Sequence, residues 1–172
     1  MSLTKFFQPR DEFFTWLKGY ANGRIVFDVG CGQGHILKAM WQHGIKGIGI
    51  DIRLYDDVED VDIRSRSLHG NATTITCLRT MPGIAMFCRP SHTGWVWETI
   101  VHNLHPDTEA IYISLPCNLH EDLVDIPVKR LDAPGMEQEW AWSVVRPLPA
   151  ELRSRTVGGP RGIHMLNALW GR

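Results

Sequence analysis

Ile25-Val26-Phe27-Asp28-Val29-Gly30-Cys31-Gly32-Gln33-Gly34-His35 is the stretch that decides the fold. Its first five residues are mostly apolar and run straight into glycines, the pattern of a short parallel strand buried on both faces. Glycine permits positive φ and lets backbone approach a ligand closely. Residues 34–43 then place Ile36, Leu37 and Met40 at helical spacing. A second apolar run, Lys46 to Ile52, carries Asp51 near its far end. Strand, helix and strand in so short a length define a βαβ unit, and such crossovers are right-handed.

This unit has a physical use. The helix behind the glycines offers free N–H groups and the positive end of its dipole. In open α/β sheets ligands sit beyond the carboxyl ends of the strands. From the end of the second strand the Asp51 carboxylate can accept both hydroxyls of a ribose. Dinucleotide sites end their turn as Gly-x-Gly-x-x-Gly or Ala, where a small last residue allows tight helix packing. That position is His35, which disfavours NAD.

Upstream, Phe13, Trp16, Leu17 and Tyr20 recur at three- and four-residue spacing and predict a helix over 10–21. Asp11 and Glu12 suit its first turn, and Asn22-Gly23 ends it. Downstream, 53–83 is weakly patterned, with a short helix near 57–66 and a third strand before Asn71. Strands are predicted over 84–88 and 110–115, with a helix over 95–104 between them. Val128 to Leu131 and Trp140 to Val145 form a final pair about Pro134-Gly135, a dipeptide that favours reversal. Trp140 and Trp142 share one strand face and are expected to pack. Residues 146–163, rich in Pro, Gly and Arg, are expected to be loop or a mobile arm. The expected architecture is one domain over 1–172. It is a three-layer α/β sandwich, its mostly parallel sheet of seven strands, or slightly fewer, ending in an antiparallel hairpin.

Composition limits the partners. The 172 residues are 44% hydrophobic and 22% charged, with 18 basic and 19 acidic side chains. A net charge of −1 gives no global field toward nucleic acid or membrane. The tail from Arg146 is locally basic; Arg153, Arg155 and Arg161 lie in a glycine-rich stretch expected to be a solvated tail, with binding of nucleic-acid phosphates as the alternative. No apolar run reaches the ~18 residues of a membrane span. No Cys-x-x-Cys occurs, and His102-x-x-His105 lacks a third ligand, so no metal site is expected. Cys31, Cys77, Cys88 and Cys117 form no secreted disulfide framework, which favours reduced thiols and a cytoplasmic protein.

The triplet Gly30-x-Gly32-x-Gly34 preceded by Asp28 resembles motif I of the class I S-adenosylmethionine-dependent methyltransferases. The final hairpin is also what that family adds to its sheet. The resemblance implies S-adenosylmethionine as cofactor. Gly30, Cys31, Gly32 and Gly34 would pass under its methionine part, and Asp28 would position its amino group. Asp51 would hold the ribose, and Ile52 would pack on the adenine. Asn71-Ala72 is the candidate for the adenine amino group, with Asp62 as its rival and a plain turn as the alternative for Asn71.

In that family the reacting groups lie after the fourth strand. Here that loop reads Cys88-Arg89-Pro90-Ser91-His92-Thr93-Gly94-Trp95. It lacks the Asp/Asn-Pro-Pro-aromatic signature of adenine amino methylation. His92 is the candidate general base, and Arg89 can hold an anionic substrate group. Trp95 can stack on a flat substrate. Helix capping, pairing with an acid and core packing are the respective alternatives. Cys88 and Cys117 follow the fourth and fifth strands, as cysteines do in the RNA cytosine-5 methyltransferases, but the flanking motifs are absent and buried structural thiols are expected. The expected activity is methyl transfer to an N or O nucleophile of a small molecule or nucleic acid. The alternatives are a non-catalytic cofactor-binding scaffold or partner subunit and, less favoured, an NAD enzyme.

Overall fold

The computed structural model describes residues 7–53, 67–90, 94–116 and 126–151. The predicted helix at 57–66, together with Asp62, His92, Cys117 and Arg153, Arg155 and Arg161, lies outside them. The chain opens on α1 (Asp11–Ala21), β1 (Val26–Val29), α2 (His35–Gln42) and β2 (Gly47–Asp51). It continues with β3 (Ser67–His69), α3 (Thr76–Thr80), β4 (Ile84–Cys88) and α4 (Gly94–His102). It closes with β5 (Glu109–Ser114), β6 (Val128–Leu131) and β7 (Trp140–Val144).

The seven strands form one sheet in the order β3-β2-β1-β4-β5-β7-β6. β3, β2, β1, β4 and β5 are parallel, and β7 enters antiparallel between β5 and β6. The expected sheet and terminal hairpin are therefore present. Two layers of apolar side chains cover its faces. One gathers Phe27, Phe87, Tyr112, Val96, Trp97 and Ile100, with α4. The other gathers Val26, Ile84, Met86 and Ile111 with α1 and α2.

α1 runs almost as predicted and ends on Asn22 in the left-handed conformation, its N–H donating to Lys18 O at 3.1 Å. The Pro134-Gly135 reversal also reaches α1. Arg10 N–H donates to Gly135 O at 2.9 Å. Gly135 has φ +76°, and a Cβ there would lie 2.6 Å from Phe13 N.

Two expectations gain detail. The chain after β7 starts as loop, as expected, and is held there: Leu148 is buried, and Arg146 donates to the carbonyls of His105 and Thr108. The guanidinium reaches two carbonyls of the loop before β5 at once, and His105 O also accepts from Thr108 N–H at 2.9 Å. Trp140 is 38% exposed, although its ring still meets that of Trp142, with centroids 6.2 Å apart. It opens β7, opposite the last residue of β5. No helix among the described residues is long and apolar enough to cross a membrane.

Candidate functional site

The site is built where β1, β2 and β4 end. Register pairs Val29 with Ile50 and Asp28 with Gly49, so the glycine turn and Asp51 leave the sheet side by side. Gly30 N–H and Cys31 N–H both donate to Ile50 O, at 2.7 and 3.1 Å, which pins the turn to β2. Gly30, Gly32 and Gly34 have φ of 83°, 54° and 80°. These left-handed values are why glycine is needed at all three.

Asp51 anchors the turn from the other side. Its Oδ2 accepts from Gly32 N–H and its Oδ1 from Arg53 N–H, both at 2.8 Å. Each carboxylate oxygen has a second lone pair, so two further hydrogen bonds remain available to a diol. A Cβ on Gly32 would meet nothing within 4 Å, so the turn is open on that side. On Gly30 a Cβ would meet the Trp95 indole at 3.5 Å. Trp95, which also lies 5.8 Å from the Phe87 ring, thus walls the turn next to the loop after β4.

Asp28 lies beneath. It is 2% exposed, and its Oδ2 has no hydrogen-bond partner among the described residues. Burial, with the Asp51 charge adding to it, pushes its carboxyl up to about 7. The same surroundings act on Cys31: burial first, then Asp28 and Asp51, push its thiol up to about 12. The Cys31 Sγ is turned toward Gly49, where a Cβ would meet it at 2.8 Å. What Cys31 contributes to the turn is thus a packed, protonated thiol and its backbone.

The remaining predicted residues fall around this centre. Ile52 is 63% exposed just past β2. Asn71 closes a turn, its Oδ1 accepting from Thr73 N–H at 3.0 Å and Thr73 Oγ1 at 2.8 Å. Ala72 is buried, and its carbonyl accepts from the buried Asn103 side chain at 2.7 Å. Asn103 also donates to Ile75 O, so it ties this turn to the end of α4.

Arg89 follows β4 with φ +46°, a left-handed value that costs energy in a non-glycine residue. Its N–H donates to Ile113 O at 2.8 Å, and its Nη1 lies 3.4 Å from Glu139 Oε1. Both side chains are largely buried, at 15% and 8% exposure. The acid that pairs with Arg89 is therefore an interior one. Glu139 is the site residue that sequence reading missed. Its only local signal is a charge immediately before an aromatic strand. Cys88 sits between these charges: burial, then Asp28 and Glu139, hold its thiol well above its ordinary value. It is a half-buried, protonated thiol, and Cys117, its expected counterpart, lies outside the described residues.

This sheet order, with its antiparallel seventh strand and its glycine turn after β1, is the fold of the class I S-adenosylmethionine-dependent methyltransferases. The chain is similar to a candidate type 11 methyltransferase from Sulfolobus solfataricus, with TM-score 0.59 and 15% identity over 83% of this chain and 95% of that one. A TehB-like S-adenosylmethionine-dependent methyltransferase from Corynebacterium glutamicum gives TM-score 0.55 and 14% identity over 79% and 88%. The 1,6-didemethyltoxoflavin-N1-methyltransferase of Burkholderia thailandensis, solved with its substrate and S-adenosylhomocysteine, gives 0.53 and 13% over 77% and 75%. No protein-family model and no curated protein matches the sequence.

Proposed function

We propose that the chain is an S-adenosylmethionine-dependent methyltransferase acting on an N or O nucleophile of a small molecule or nucleic acid. One observation carries the reading: Asp28, two residues before Gly30, keeps a buried carboxylate oxygen without a partner among the described residues, and the glycine turn that follows is open beside Gly32. A buried polar atom without a partner is costly unless a ligand satisfies it. An ammonium is the group that would both pair with Asp28 and favour its charged form. Asp51 then offers its spare lone pairs to a ribose, and Ile52 offers an apolar face to an adenine. Asn71 and Ala72, in the turn after β3, would meet the adenine end. S-adenosylmethionine, when bound, supplies a methyl group on a sulfonium centre.

The chain's own task is to align an acceptor and take its proton. His92 is the proposed base. Arg89, locked on Glu139, would fix the start of the loop that carries it. A second reading, a cofactor-binding partner subunit without activity, is favoured by one feature. Arg89 already has an interior acid, and Cys88 is protonated, so neither is a ready reactive group. NAD is disfavoured by His35 at the helix start.

Titration calorimetry with S-adenosylhomocysteine and with NAD tests the ligand class. Asp51→Ala should weaken the former by about 1–3 kcal/mol through stranded partners. A folded protein that binds NAD but not S-adenosylhomocysteine would refute the proposal. Labelled cofactor offered to RNA, DNA, protein and small-molecule pools then separates enzyme from partner subunit.

A further inference from the structure

Trp140 stands opposite Ser114, the last residue of β5. Because β7 is antiparallel to β5, its first residue lies at the carboxyl edge of the parallel strands. That is the edge where Gly30 leaves β1 and Arg89 leaves β4. β4 and β5 separate β1 from β7, so three strand spacings, about 14 Å, lie between the glycine turn and Trp140. The indole is 38% exposed although β7 has a neighbour on both sides. Arg130, which pairs in register with Trp142, reaches diagonally and lays its guanidinium 3.9 Å from the Trp140 ring centroid. Arg130 is exposed, and no carboxylate among the described residues pairs with it.

An exposed cation–π pair adds little stability by itself. What this one provides is a flat aromatic surface with a planar charge held against it that no described acid neutralises. We infer that Arg130 and Trp140 form a stacking site for a planar group bearing negative charge, namely a nucleobase with its phosphate. An indole accepts any base face, and a guanidinium both stacks and donates in pairs to phosphate oxygens. The assignment of this nucleotide as the methyl acceptor rests on the proposed methyl transfer; the binding does not. The nucleotide can be free or part of a single strand, since both present the same base and phosphate.

Uridine monophosphate and a uridine hexamer are the probes, titrated with saturating S-adenosylhomocysteine present so that the glycine-turn site is filled. Uridine and inorganic phosphate alone are the controls. Uridine monophosphate should bind better than either control. Trp140→Leu should weaken it about tenfold or more, and Arg130→Gln should remove the advantage of the phosphate. Hexamer binding that is much tighter and falls with salt identifies a strand as the ligand; equal affinity identifies the free nucleotide. A hexamer carrying 4-thiouridine should photo-crosslink to the peptide containing Trp140, a readout that needs no variant. Absence of saturable binding and of crosslinking would overturn the inference, as would binding unchanged in both variants or binding of an acidic peptide in their place. If S-adenosylhomocysteine fails to bind while the hexamer still depends on Arg130 and Trp140, the methyl-transfer reading falls and the stacking site stands.

Discussion

Asp28→Asn should stabilise the unliganded protein, and only above mildly acidic pH. Asp28 is buried, its Oδ2 has no partner among the described residues, and burial with the Asp51 charge raises its carboxyl from 3.8 to about 7. Below about pH 4 both folded and unfolded chains carry the proton, and the group contributes nothing. Between about pH 4 and 7 the folded chain keeps a proton that the unfolded chain has lost, so stability falls as pH rises. Above about pH 7 both are ionised and the penalty is full. Three pH units at about 1.4 kcal/mol each set that penalty on the order of 4 kcal/mol. Asparagine keeps the shape and removes the charge. Urea unfolding of both proteins at about pH 4.5 and about pH 8 measures it, with the slope m held equal as a check on compactness. The variant should gain stability relative to the parent by a few kcal/mol between those pH values. A separation between the two unfolding curves that is the same at both pH values would refute the reasoning, because Asp28 would then titrate normally.

The same carboxylate makes ligand binding sensitive to pH: S-adenosylhomocysteine should bind more tightly as pH rises from about 6 to 7.5, with proton release seen by calorimetry in buffers of different ionisation enthalpy. Asp28→Asn should abolish that release. Glu139→Gln should cost about 2–3 kcal/mol by removing the acid of a largely buried ion pair, measured by urea unfolding, while S-adenosylhomocysteine affinity stays close to the parent value. Gly135→Ala should lower stability more than Gly23→Ala. Both have positive φ, but only at Gly135 does a Cβ meet backbone, at 2.6 Å from Phe13 N, whereas nothing lies within 4 Å at Gly23. The excess, about 1–3 kcal/mol by thermal or urea unfolding, is the steric part.

Most of the sheet was legible because its strands advertise themselves. β1, β2, β4 and β5 are apolar runs bounded by glycine or proline, and burial on both faces demands such runs. β6 and β7 were marked by the Pro-Gly reversal between them. β3 is only Ser67-Leu68-His69 on the sheet edge, with both Leu68 and His69 exposed, so it needs no apolar pattern and leaves little trace. α3 is a five-residue helix, Thr76–Thr80, with Leu78 as its one buried side chain. One buried residue cannot establish a period.

The site divides in the same way, between what is local and what the fold brings together. The three glycines and Asp51 were legible because backbone conformation and strand-end position are local properties. The state of Asp28 was not, because its burial and its repulsion from Asp51 arise only when β1 and β2 pair in register. Glu139 was illegible for a stronger reason: its partner is Arg89, fifty residues earlier, and a charge beside a tryptophan reads as an ordinary strand entry. Yet this pair changes what the loop after β4 is. Arg89 holds the left-handed start of that loop against the hairpin, and Trp95 holds the far side against Gly30. Both attachments lie on separate elements, one on the hairpin and one on the glycine turn. A change that releases either should therefore disturb the loop without unmaking the sheet, which is why the charge of Glu139 and the ring of Trp95 belong to the site as much as the glycines do.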